Sequence, residues 1–413
     1  MRNLRLIKAL RRDEKGNVAL IVAAALPMLL GSAGLAVDTL QLSIAKRQLQ
    51  RAADSGALAA AYAMSQDADA ETAVVRDLTH HATLEITGDP AVDENPAAGR
   101  YAGDPSVVVV RLETVRAAPF MSFFTRTDPL LVAEAAARVD GTGTFCVVSL
   151  YGGTETGIDI NGNANVTLGC GMATNSRGAE AVTAGGSSQV TANPVMAMGT
   201  IPASSRYTAG TQIISHSVQQ TDPLERIPDP PPNFCSTPLG AMTQKSNDPE
   251  ITYSPGCYSG IDIKGAVKLQ PGIYYVNGGD VDFGSQAEVS GTGVTIVMTG
   301  PNGQAGDIKL NGGAKVSLTA PETGSHHGVV LYRDRRASNI NVKFNGGGTF
   351  NMRGALYLPT TDLELLGNFD LNAACLQIVG NKLSFKGTAN LQNNCPANSG
   401  SSAFRGTRIR LLR

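Results

Sequence analysis

Six times between Ile158 and Leu391 the chain repeats one spacing: two apolar residues flanking a single position, a Gly two places on, and another apolar residue four places after that. The copies are Ile158-Ile160-Gly162-Val166, Ile261-Ile263-Gly265-Leu269, Ile308-Leu310-Gly312-Val316, Val342-Phe344-Gly346-Phe350, Leu363-Leu365-Gly367-Leu371 and Leu383-Phe385-Gly387-Leu391. A variant, Val281-Phe283-Val289, carries Gly284 one place early. Alternation turns one face of each short strand inward. Gly supplies the left-handed or tight-turn conformation between two strands of one coil. Further apolar strands lie between the copies: Val294–Met298, Val329–Tyr332, Ala355–Leu358 and Cys375–Val379. A strand set that returns once per coil can stack on itself and bury a continuous core. Phe145 to Leu391 therefore reads as a parallel β-helix, of right-handed sense. A β-sandwich is the alternative, but it would not require the regular Gly offset.

The segment 204–254 interrupts this pattern with DPPPNF and scattered polar residues. Pro230 to Pro232 favour extended or polyproline backbone. This stretch reads as an excursion across the solenoid surface, or as a joint between two stacked halves, 141–203 and 255–396. Composition agrees with short strands and many turns: 46 Gly, 17% charged residues, 5% aromatics and no Trp. A formal net charge of -1 argues against nucleic acid as a bulk electrostatic partner.

The N-terminal region has a different character. Val18 to Val37 is uncharged and about the length that crosses a bilayer core. Arg2, Arg5, Lys8, Arg11, Arg12 and Lys15 precede it, which predicts a cytoplasmic segment 1–17 and an exported C-terminal body. A cleavable signal peptide is the rival reading. However, the apolar run 18–37 passes into a helical pattern over 38–66, with Leu42, Leu49, Ala52, Ala53, Ala57 and Ala60 at helical spacing. Small residues Ala23, Ala24, Gly31 and Gly34 are the candidates for packing against other membrane helices. A small α+β region is expected over 67–140. It has a strand in VVVVRLE, a short aromatic segment PFMSFF and a second strand in LLVAEAAARV. A basic tail, 397–413, either caps the last coil or stays unordered.

The Arg-Asp-x-x-Gly entry at Arg12, Asp13 and Gly16 leads into an Ala-rich span with Pro27. Then follow Gly34 to Asp38 and the Leu-Gln-x-Ala-Ala-Asp-x-x-Ala-Leu-Ala block from Leu49 to Ala59. Over about fifty residues this resembles the N-terminal segment of the TadE/TadG-like (Flp, tight-adherence) pilus-assembly proteins. The resemblance implies a bacterial inner-membrane protein with a single pass, a periplasmic body and a structural role in pilus assembly or the envelope. Asp38 and Asp54 belong to the resembling block and are candidate partner contacts. Two departures are visible. Cutting after Gly16 would place Ile21 where processed pilins carry Glu, and the Asp-x-Ser-x-Ser metal motif of a von Willebrand A domain is absent from the sequence. The C-terminal two thirds are not covered by the resemblance.

Six cysteines, Cys146, Cys170, Cys235, Cys257, Cys375 and Cys395, all follow the apolar run and none has CxxC spacing. Disulfides in an oxidising compartment are the expectation. Cys170 and Cys395 each lie twelve residues into their copy of the repeat, after Ile158 and Leu383. That register suggests Cys146–Cys170 and Cys375–Cys395, leaving Cys235–Cys257. Six cysteines allow other pairings, and reduced buried cysteines are the plainer alternative.

Glycan chemistry on a β-helix would need two carboxylates at a set separation. Asp280, Asp282 and Glu288 are the candidates, with Glu364 and Asp370 behind them, yet the DVDF alternation places the first two on one outward, solvated face. His326, His327 and the RDRR cluster Arg333–Arg336 read as a polar loop and turn. No catalytic residue, cofactor or metal site is assigned. The expected protein is a non-enzymatic, membrane-anchored assembly component presenting a β-solenoid to protein partners. A polysaccharide-binding or polysaccharide-degrading surface protein is the alternative, with a glycan partner otherwise unsupported.

Overall fold

The computed structural model describes residues 17–412 except 66–67, 231–234, 236, 368–369, 374, 389 and 394–403. The basic residues before Asn17 and the Cys375–Cys395 pairing lie outside what is described, as do the side chain of Asp370 and most of the Pro230 to Pro232 run. The chain divides into two units, residues 1–140 with 409–413, and residues 141–408.

In the first unit, helix α1 (Asn17–Met64) runs unbroken through Pro27 and changes surroundings along its length. Large apolar side chains from Val18 to Ile44 stand exposed. From Ala45 onward one stripe is buried: Ala45, Leu49, Ala53, Ala57, Ala60 and Ala61. The four-residue spacing puts these on one helix face. That stripe packs on Val108, Val110, Leu112, Ala133, Ala135 and Ala137, with Ala70 and Val74 of helix α2 (Ala70–His81) closing the side. The sheet beneath is antiparallel. Strand β1 (Ala91–Glu94) pairs β2 (Val107–Val115), and β2 pairs β3 (Leu130–Ser149) from Val115↔Leu130 to Val107↔Arg138. The β2–β3 connection carries a short helix, α3 (Pro119–Thr125). The C-terminal strand Phe404–Leu412 places Ile409 against this core, so the basic tail is ordered where it is described.

The second unit is a parallel β-solenoid. Each regular coil contributes three strands, as in Ile261–Ile263, Ala266–Leu269 and Gly272–Asn277, and each pairs in register with the next coil. The six sequence copies supply the first strand of their coils. Their alternating positions, Ile158 and Ile160 through Leu383 and Phe385, point into one core that also holds Val316 and Phe350.

The order of the coils departs from the order of the chain. Leu383–Phe385 pairs with Ile158–Ile160, Asn390–Asn393 with Asn165–Leu168, and Ile378–Gly380 with Val147–Ser149. The stack therefore rises from residue 242 to 393, continues with 145 to 197, and ends at Ile213–Ile214 beside Val195–Met196. The two expected halves form one solenoid, with the C-terminal half underneath. The expected excursion is also shorter than 204–254. Ile213–Ile214, Met242–Gln244 and Ile251–Tyr253 are solenoid strands within it. They escape the sequence pattern because none carries the Gly two places on.

In the copies of Gly162, Gly367 and Gly387 the Gly offset has a direct cause. Gly162, Gly186, Gly367 and Gly387 hold φ of 76°, 65°, 70° and 84° and stack at one corner of successive coils. A Cβ on Gly387 would stand 2.8 Å from the Gly367 backbone nitrogen, and one on Gly162 2.9 Å from that of Gly387. The corner needs both the left-handed backbone and the absent side chain.

Candidate functional site

Two places gather polar and apolar groups in a way the fold alone does not demand. The first lies where α1 leaves its exposed stretch. Gly34 is buried under the ring of Phe120, which occupies the volume a side chain at Gly34 would need. One turn on, Asp38 is 2% exposed, and its Oδ2 accepts the Met121 backbone N–H at 2.7 Å. Met121 is the third residue of α3, one of the donors a helix leaves without an internal partner. The α3 cap residue, Ala118, has no side chain able to fill that role, and Asp38 supplies it from another element. The Ala118 N–H goes to Asp128 Oδ1 at 3.3 Å.

The remaining small residues of the membrane-packing set are placed differently. Ala23 and Ala24 are exposed, and nothing lies within 4 Å of a Cβ built on Gly31. Gly34 is thus the member taken up by a contact within the chain itself. Asp54 is half-buried and accepts from Gln50 Nε2 at 2.9 Å, while the same amide nitrogen donates to the Glu134 carbonyl at 2.9 Å. Asp54 also lines a cleft of about 700 Å³ with Asp93, Arg100, Tyr101 and Glu134.

The second place is on the solenoid. Strands Val294–Thr299 and Val329–Arg333 are buried at every position, on both faces. Their outward side chains join Phe145, Val148, Tyr357 and Val379 in a second apolar strip, and Leu224 and Ile227 cover it. These two belong to residues 215–230, a strap that runs down the outside from the last coil toward the first. Its anchors follow the ladder in order. Asn175 and Gln220 exchange side-chain and backbone hydrogen bonds at 2.8 Å each. Tyr357 donates to Asp222 at 2.5 Å, and Tyr332 to Asp229 at 2.9 Å. A disulfide joins Cys235 to Cys257 near the lower end. A second disulfide, Cys146–Cys170, ties neighbouring coils within the core.

The RDRR cluster, expected as a solvated turn, is the clasp of this strap. Arg333 and Asp334 are fully buried. Arg335 donates to the carbonyls of Leu224, Glu225 and Ile227 and pairs with Asp229 at 3.1 Å. Arg336 reaches the Pro230 carbonyl and pairs with Asp334 at 2.7 Å. Burial alone would push the Asp334 carboxyl up, but hydrogen bonds from Arg336 and Thr299 hold it below the usual range. Burial pushes the Tyr332 and Tyr357 hydroxyls well above theirs. His326, expected in a polar loop, is buried edge-on to Tyr332 with ring centroids 5.7 Å apart, and burial lowers its pKa. The continuous apolar runs VTIVM and VVLY were the available signal, since a strand without alternation is covered on both faces.

The carboxylates weighed for glycan chemistry lie on outer faces beside cations or amides. Asp280 sits 3.7 Å from Lys309, Glu288 pairs with Lys315 at 2.6 Å, and Asp282 accepts from Asn311 at 3.0 Å. Glu364 stands between Lys343 at 3.5 Å and Lys386 at 3.3 Å.

Residues 16–64 match a family model described as putative Flp pilus-assembly TadE/G-like. The match covers the exposed apolar half of α1, Asp38, and the buried stripe through Met64. No curated protein and no solved structure matches the chain. The one helix among the described residues that is long and apolar enough to cross a membrane, together with the family match, fits a membrane-anchored protein related to pilus assembly.

Proposed function

We propose that this chain is a non-enzymatic component of Flp/Tad-type pilus assembly in the bacterial inner membrane, with its N-terminus cytoplasmic and its solenoid periplasmic. The observation that carries the reading is the split of α1. The family match spans the whole helix; its first half leaves apolar side chains from Val18 to Ile44 uncovered, whereas its second half is a core element of a folded unit. Burying an exposed Leu or Ile contributes about 1.5–3 kcal/mol, so a lipid environment suits the first half as water does not. The stretch Val18–Val37 spans about 30 Å at the helical rise, the thickness of a bilayer core. Ala23, Ala24 and Gly31 remain open for close approach of another helix in the membrane. Two disulfides fit the oxidising side of that membrane. The solenoid then offers long, regular strand faces to protein partners.

The test is a strain lacking this chain, examined for surface pili by electron microscopy. Loss of pili, restored by the full chain but not by exported residues 65–413, is expected. Normal pili, together with glycan binding or cleavage by the exported body that fails on replacing Asp280, Asp282 or Glu288, would replace this reading with the polysaccharide one.

A further inference from the structure

Helix α3 is short, and its outer side has no cover among the described residues. Phe123 is 81% exposed and Phe124 68%, and Phe120, Val115 and Leu130 are also open. Val115 and Leu130 are paired neighbours at the ends of β2 and β3, so the five side chains belong to one tip of the sheet and the loop crossing it. Leaving such a cluster in water is costly, and contiguous exposed apolar surface marks a place of contact.

The level of this tip is fixed by one packing contact and one hydrogen bond to α1. Phe120 lies on Gly34, and the Met121 amide is held by Asp38. Gly34 is about 24 Å along the helix from Val18, and Val37 about 28 Å, at 1.5 Å per residue. Both fall at the far boundary of an apolar core about 30 Å thick. The open face of α3 therefore continues the exposed apolar surface of α1 at the depth where hydrocarbon gives way to headgroups. Aromatic side chains concentrate at that depth. Arg116 and Arg126 bracket the aromatic segment and are exposed, placed to meet lipid phosphates.

We infer that α3 is an interfacial foot, with Phe123 and Phe124 inserted into the acyl–headgroup boundary of the same membrane that α1 crosses, and that Gly34 and Asp38 are kept small and acidic to hold it there. The foot fixes the tilt and height of the first unit above the bilayer. This rests on the reading of α1 as a membrane helix, and the test separates the two. The chain contains no Trp, so Phe123→Trp creates a single tryptophan, excited selectively over the tyrosines, at a site too exposed to disturb packing. The full chain with this change is placed in vesicles of phosphatidylglycerol and phosphatidylethanolamine carrying bromine at shallow or deep acyl positions. Val22→Trp serves as the anchor reporter and Phe124→Trp as a second foot reporter. The expected result is quenching of Val22→Trp mainly by deep bromine, and of both foot reporters mainly by shallow bromine with blue-shifted emission. Quenching of Val22→Trp alone, with water-like emission from both foot positions, would overturn the foot and leave the anchor standing. Blue-shifted but unquenched emission at the foot would assign the face to a second protein chain and overturn the lipid occupant. No quenching at Val22→Trp would overturn the anchor, and the foot with it.

Discussion

The Asp38 carboxylate accepts the Met121 amide at 2.7 Å, so a residue of the long helix closes the start of α3 eighty-three positions away in sequence. A side-chain cap of this kind contributes about 1 kcal/mol. Asp38→Ala is expected to cost that much locally and to speed amide exchange across residues 118–126, while Asp38→Asn keeps most of the protection. Unchanged exchange in the alanine variant would show that the bond carries no weight.

The strap is held by charge-assisted hydrogen bonds, each contributing about 1.5–3 kcal/mol. Arg335→Ala removes three donations to strap carbonyls and the pairing with Asp229. Exchange and proteolysis should then rise in residues 222–230 while the inward core strands stay protected. A uniform loss across the solenoid would mean that the strap is part of the cooperative core rather than a cover.

Acid should loosen the same region. His326 is buried, its Nε2 has no hydrogen-bond partner among the described residues, and its pKa lies below the ordinary imidazole value of 6.5. Between that lowered value and 6.5 the unfolded chain binds a proton that the folded chain does not. The stability from a neutral His326 is therefore complete above 6.5 and is lost as the pH falls through the window below it. The denaturation midpoint should drop over this range, and His326→Phe should flatten the drop. An identical slope in the variant would contradict the assignment.

Gly387→Ala asks the corner stack to take a Cβ at φ 84° and 2.8 Å from the Gly367 nitrogen. The left-handed conformation alone costs about 1–2 kcal/mol, and the clash adds to it. Gly31→Ala, with open space around it, should leave stability of the folded units unchanged.

What the sequence made legible was the part governed by local periodicity. Alternation with a Gly offset identified the coils, because inward side chains and the crowded corner recur in every one. Coil order was not legible, since each copy offers the same faces above and below, and nothing local says that Leu383 stacks on Ile158 rather than ending the stack. The burial of the RDRR cluster is hidden in the sequence for a related reason. Four charged residues in a row read as solvated until Asp229 and the carbonyls of Leu224, Glu225, Ile227 and Pro230 are brought against them. At the membrane end, the resembling block marked Gly34 and Asp38 but not their partners, Phe120 and Met121, which lie more than eighty residues on.

The most direct measurement of the central claim is fractionation of cells expressing the full chain, with an alkaline carbonate wash, protease added to spheroplasts, and N-terminal sequencing of what remains. The expected result is a chain that pellets with inner membranes, resists the wash, begins before Val18, and loses its solenoid to external protease while a protected N-terminal fragment survives. A soluble product whose first residue lies beyond the apolar stretch of α1 would contradict it.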